Sequence, residues 1–140
     1  MHNAKEESQL HNLMVQYITA FCQAVRKNQQ NTYSPYVKRA VQYIELHFNQ
    51  PIHAEKLCEM NHITQQHFTQ MFKKETGKTV KQYIMSLRCE RASELLENSS
   101  LPIQEISRYV GYEDLSYFGR VFKSLTGSSP KEYRSQKTMY

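Results

Sequence analysis

The sequence predicts an all-α fold in which two helix-turn-helix subdomains are joined by a long helix and preceded by an extra amino-terminal helix. Three observations carry that expectation. Apolar residues recur at i, i+3, i+4 and i+7, and no segment alternates as a half-buried strand would. A block of residues returns 50 positions later in the chain. Each copy stops at a glycine and restarts on a capping sequence, as short helices do.

Residues 8–30 form the first periodic segment, with Leu10, Leu13, Met14, Tyr17, Ile18, Phe21, Cys22 and Val25 on one stripe. A polar break over 27–35 ends in Ser34-Pro35, an N-cap residue followed by a proline suited to the first helical position. The next helix buries Val37, Ala40, Val41, Ile44 and Phe48 and ends before Asn49-Gln50-Pro51. A short helix over Ile52–Met60, a tight turn at Asn61-His62-Ile63 and a helix over Thr64–Thr76 follow, with Gly77 as the stop. Thr79 and Gln82 have the spacing of a capping box and open a long helix through Tyr83, Ile84, Leu87, Ala92, Leu95 and Leu96. After Asn98–Pro102 come a short helix over 103–110, a turn at Gly111-Tyr112-Glu113, and a helix over 114–125 stopped by Gly127. Ser129 and Glu132 cap a last short helix, with fraying expected after Arg134.

The repeat pairs Phe68, Phe72, Lys73, Thr76, Gly77, Lys81 and Tyr83 with Phe118, Phe122, Lys123, Thr126, Gly127, Lys131 and Tyr133. Upstream the offset is 49, matching Ile52 and Leu57 with Leu101 and Ile106, so the second turn is one residue longer. Short helix, tight turn, longer helix and basic block is the layout of a helix-turn-helix DNA binder. Phe68 with Phe72, and Phe118 with Phe122, are i, i+4 pairs expected in the core. Gln66, Thr69, Gln70 and Lys73 share another face, and Ser116, Gly119, Arg120 and Lys123 stand at the same phase in the second copy. Glutamine can pair with adenine N6/N7, arginine with guanine, and lysine with guanine or phosphate. Gly119 is a poor helix former, and its presence suits a backbone that something approaches closely.

Composition fits this layout. Of 140 residues, 18 are Lys or Arg and 13 Asp or Glu, for a net charge of +5. Positive charge is concentrated in two blocks: four lysines against Glu75 over 64–81, and five cations against Glu132 over 115–137. Cys22, Cys58 and Cys89 are odd in number and widely spaced, as expected of reduced, half-buried thiols in a cytoplasmic protein rather than a disulfide framework or zinc site. The six histidines show no metal-ligand spacing. No metal or cofactor is expected, and no membrane span. No nucleophile–base grouping or phosphate loop points to an enzyme. The nearest approach to reactive chemistry is Cys89 beside Arg88 and Arg91, a thiol whose setting decides its reactivity.

The run Ile106–Lys123, with Thr126-Gly127, Ser129-Pro130 and Tyr133-Arg134, resembles the signature of AraC/XylS-type transcriptional regulators. The first half agrees at Tyr43-Ile44, His47-Phe48, Pro51-Ile52, Phe72-Lys73-Lys74, Gly77, Tyr83-Ile84, Arg88 and Ala92. Thr64 and Cys58 depart mildly, standing where such proteins more often have Ser and Ala. The resemblance implies a double helix-turn-helix DNA-binding domain over 36–135, divided into a first subdomain (36–79), a linker helix (80–98) and a second subdomain (99–135), with 136–140 as a tail. Carried over by position, it implies base-facing Gln66, Thr69 and Gln70 in the first unit and Leu115, Ser116, Gly119 and Arg120 in the second. Lys73, Lys74 and Lys123 would meet phosphates. Double-stranded DNA and RNA polymerase are the implied partners.

Residues 1–35 lie outside the resemblance and are expected to be a remnant of an upstream sensor or dimerisation region, or part of a small member without one. The 8–30 helix could pack back on the domain, form a homodimer seam, or stand as a severed linker. The competing functional class is a helical protein-interaction module reusing the same fold.

Overall fold

The computed structural model describes Tyr17 and residues 32–138, and among these it contains seven helices and no strand. They are α1 (Pro35–His47), α2 (Ala54–Asn61), α3 (Gln65–Thr76), α4 (Val80–Asn98), α5 (Ile103–Tyr109), α6 (Leu115–Thr126) and α7 (Pro130–Thr138). The expected 8–30 helix and its dimer seam lie outside the described residues except for Tyr17, which is helical and 79% exposed.

Two apolar cores hold these helices. The first gathers Val37, Ala40, Val41 and Ile44 of α1, Leu57 of α2, Phe68 and Phe72 of α3, and Val80, Ile84 and Leu87 from the start of α4. The second gathers Cys89, Ala92 and Leu96 from the rest of α4, Ile106, Val110 and Tyr112, and Phe118, Val121 and Phe122 of α6. The linker helix thus belongs to both units, and Phe48 packs against both cores. Its second half is the counterpart of α1: buried Val37, Ala40 and Ile44 match buried Cys89, Ala92 and Leu96 in spacing. The duplicated unit is therefore three helices, closed in the first copy by the start of α4 and in the second by α7.

The caps explain where the helices start. At α4 the Thr79 hydroxyl accepts from Gln82 N at 3.1 Å while the Gln82 side chain accepts from Thr79 N at 3.0 Å. Ser129 and Glu132 repeat that reciprocal pair at α7, at 3.1 and 3.2 Å. Three expectations are corrected. Ser34 sits at the N-cap of α1 but makes no cap bond; its N–H and hydroxyl donate to the Glu75 carboxylate at 2.6 and 2.8 Å, tying the start of α1 to the end of α3. The second helix of the first unit begins at Ala54 rather than Ile52, because Ile52 is drawn into the first core and His53 is extended. The last helix does not fray after Arg134 but runs to Thr138, held on α4 by a Tyr133 hydroxyl bond to Glu97 and by Lys137 at 4.0 Å from the same carboxylate.

Candidate nucleic-acid interface

The two longer helices, α3 and α6, have the same twelve-residue length and the same internal bonding. Thr76 donates to Phe72 O at 2.7 Å and Thr126 to Phe122 O at 2.8 Å, and each hydroxyl also bridges to the loop carbonyl two residues on. Gly77 and Gly127 end them in the left-handed region at φ 79° and 85°. Ring centroids lie 5.7 Å apart in Phe68–Phe72 and 5.8 Å in Phe118–Phe122. Tyr83 and Tyr133 then meet Phe72 and Phe122 edge-on, at 5.6 and 5.4 Å. Phe68, Phe72, Phe118 and Phe122 are all essentially inaccessible, so the aromatic stripes are core and not base-stacking surface.

The turns locate the extra residue. His62 and Gly111 are both left-handed, at φ 54° and 106°. Ile63 N donates to Cys58 O and Tyr112 N to Ser107 O, still 49 apart. The N-caps Thr64 and Asp114 are 50 apart, so Glu113 is the inserted residue. It lies immediately before α6 and adds a charge there.

Opposite the buried rings, Gln66, Thr69, Gln70, Lys73 and Lys74 are all exposed on α3. On α6, Leu115 is 42% exposed, Ser116, Arg120 and Lys123 are exposed, and Gly119 is half-buried. Each group shares one helix, but their chemistry differs in the free protein. The Thr69 hydroxyl donates to Gln65 O at 2.7 Å, leaving its methyl and lone pairs to face outward. The Arg120 guanidinium sits 5.9 Å from the Tyr117 ring centroid, a contact that steadies a long side chain. A Cβ on Gly119 would meet nothing within 4 Å, so packing inside the fold does not require glycine there. Lys73, Lys74 and Lys123 fall in the last turns of their helices, where a cation complements the dipole.

Cys58 and Cys89 are buried free thiols. Burial first, and then the Glu90 charge, push the Cys89 thiol up to about 11, so it stays protonated at neutral pH despite its arginine neighbours. That setting is the reverse of a reactive cysteine's. Among the described residues no group of three or more His, Cys, Asp or Glu is arranged to hold a metal, and no helix is long and apolar enough to cross a membrane.

Residues that the spacing did not single out join the two units. From α4, Arg88 donates through Nε to Phe48 O at 2.6 Å and through Nη2 to Gln50 O at 3.0 Å. Its guanidinium carbon lies 5.0 Å from the centroid of the Tyr112 ring, which stacks on Phe118 at 5.6 Å. Burial raises the Tyr112 phenol, with the Arg88 charge opposing. In the sequence Arg88 stands out only as part of a family motif and as a neighbour of Cys89, because its partners are 40 and 38 residues away.

A family model described as a helix-turn-helix domain matches residues 57–136. Among solved structures, the carboxy-terminal domain of AraT, a response regulator from Geobacillus stearothermophilus, is 38% identical with a TM-score of 0.72, over 75% of this chain and 88% of that one. The HTH-type transcriptional regulator YobQ of Bacillus subtilis is 32% identical over 128 residues, 91% of this chain and 48% of its own length. The xylose operon regulatory protein of Escherichia coli is 36% identical over 100 residues, 71% of this chain and 26% of that protein. The chain spans about half or less of the length of these curated relatives.

Proposed function

The chain belongs to the AraC/XylS family of helix-turn-helix transcriptional regulators, and from that premise we propose that it binds double-stranded DNA sequence-specifically through α3 and α6 in successive major-groove segments. One observation carries the reading. The same scaffold occurs twice, down to its threonine bridges and edge-on tyrosines, and both copies turn a polar, cation-bearing face outward at the same helical phase.

In the first unit Gln66 and Gln70 supply amide pairs for adenine, and Thr69 offers a methyl to thymine. In the second, Arg120 pairs with guanine, Gly119 admits close approach, and Leu115 and Ser116 border the contact. Lys73, Lys74 and Lys123 neutralise phosphates and set orientation rather than sequence. The double helix-turn-helix domain occupies residues 36–135, or 36–138 counting all of α7. In this reading the chain acts on bacterial cytoplasmic DNA, not as an enzyme, with RNA polymerase as a protein partner and the 8–30 segment as the route to a second copy.

The test is selection of bound duplexes from a random pool, followed by footprinting. Two protected patches about 10 base pairs apart are expected, with affinity falling steeply as salt rises. Failure to enrich any duplex, or salt-insensitive binding, would falsify the reading.

A further inference from the structure

The end of α1 and its following loop (Phe48, Asn49, Gln50), Arg88 on the shared helix, and Gly111-Tyr112 ahead of the second reading helix meet at one joint. Each part leads to a reading helix. Phe48 caps α1, which packs on α3 and is tied to it through Ser34 and Glu75. Tyr112 stacks on Phe118 and meets Tyr117 edge-on at 5.8 Å, both residues of α6. Between them stands the Arg88 guanidinium, bonded to two carbonyls on one side and packed on the Tyr112 ring on the other, while Arg91 lies over the Phe48 ring at 5.8 Å without bridging to Tyr112. Gly111 allows the approach: a Cβ there would come within 3.1 Å of Arg88 Cζ and of the Asn49 backbone.

On that geometry, and resting on the DNA-reading function above, we infer that Arg88 is a positioning residue that fixes the angle and separation of α3 and α6, and so sets the spacing of the two half-sites that the chain accepts. Arg88 suits this task because its planar fork reaches two carbonyls in fixed directions while its face lies on an aromatic ring. A lysine would keep the charge but, as a point donor, could not hold both directions. One base pair inserted between half-sites moves the second by about 3.4 Å along the axis. A rigid joint cannot follow that movement without losing contacts, whereas a loosened joint can.

The experiment uses the full chain and the conservative variant Arg88→Lys, with far-UV circular dichroism as the check on folding. Spin labels at exposed Lys74→Cys and Ser124→Cys, with Cys22, Cys58 and Cys89 replaced by alanine, report the separation of the reading helices without DNA. A single narrow distance distribution is expected with Arg88, and a broadened one with lysine. On DNA, the selected site is compared with the same site lengthened or shortened by one base pair. The native chain is expected to lose about tenfold or more in affinity, about 1.4 kcal/mol, and Arg88→Lys no more than about threefold. Gly111→Ala, which presses a methyl against Arg88 and the Asn49 backbone while leaving the arginine itself in place, is expected to shift the mean label distance and the preferred spacing.

A folded Arg88→Lys chain with an unchanged distance distribution and an unchanged spacing penalty overturns the inference. Loss of helical content in both variants also overturns it, in favour of a role in folding alone. A native chain that enriches no duplex removes the reading function instead, and the label distances then decide whether the joint is rigid.

Discussion

Thr64 and Asp114 cap the same helix end in the two units, yet they leave different surfaces there. Thr64 accepts one N–H, from His67 at 3.3 Å, and is neutral. Asp114 accepts two, from Ser116 and Tyr117 at 2.9 and 3.1 Å, and with the inserted Glu113 makes the start of α6 acidic. The faces proposed to meet DNA differ in kind as well: two flexible amides on α3, one ring-steadied guanidinium and a glycine on α6. The supports are alike in chemistry but not in reach. Arg88 ties down the end of α1, and Arg134 does the same for α4 by donating to Leu96 O and Ser99 O, both at 3.3 Å. Arg88 also reaches across to the second unit, at the Tyr112 ring. The repeat keeps the scaffold alike in the two units and puts the divergence into the surface and the joint, outside either core.

If the cores are one scaffold used twice, equal injury should cost equally. Phe72→Ala and Phe122→Ala are each expected to lose about 3–5 kcal/mol of stability in urea unfolding, and to agree within about 1 kcal/mol, because both rings are fully buried between a phenylalanine and a tyrosine. Clearly unequal losses would break the equivalence. The turns should respond in opposite directions. Gly111→Ala meets both a positive φ and a contact at 3.1 Å, and is expected to destabilise by about 1–3 kcal/mol. His62→Gly relieves a left-handed non-glycine residue and is expected to stabilise by up to about 1 kcal/mol.

On a selected DNA site, Gln70→Ala and Arg120→Ala are each expected to cost about 1–3 kcal/mol of discrimination, each confined to its own half of the site. The informative readout is a new selection with each variant. If both variants relax the same base positions, the assignment of one helix to each half fails.

The residues that reveal this design differ in how far their information travels. Gly77, Gly127, Thr79-Gln82 and Ser129-Glu132 act within four residues, and the sequence locates the helix ends by them to within a residue or two. The exposed faces of α3 and α6 follow from the phase of buried phenylalanines, again a local signal. The counterpart of α1 is hidden, because a helix shared between two cores shows no single stripe: Leu87 faces one core and Cys89 the other. Ser34 holds the N-cap position but makes no cap bond, and its hydroxyl is turned to a carboxylate 41 residues on. The bonds of the Arg88 joint go to carbonyls, which every residue carries, so the sequence marks Arg88 itself but not what it holds.

The smallest predicted effect separates stability from recognition at the acidic start of α6. A carboxylate at a helix N-terminus gains about 0.3–1 kcal/mol from the dipole. Phosphates are drawn to the same exposed N–H groups, so on DNA that charge works against binding. Asp114→Asn keeps the cap, since asparagine serves as well as aspartate, and removes only the charge. It is expected to lower stability by about 0.3–1 kcal/mol while tightening DNA binding by roughly two- to fivefold, a free-energy change of about the same size. Thr64→Asp, which writes the second unit's charge into the first, should do the reverse. Parallel thermal melts and low-salt titrations read the two effects. If Asp114→Asn weakens DNA binding while still folding, the carboxylate is a base contact, accepting from a cytosine amino group, and the second helix reads with more than Arg120.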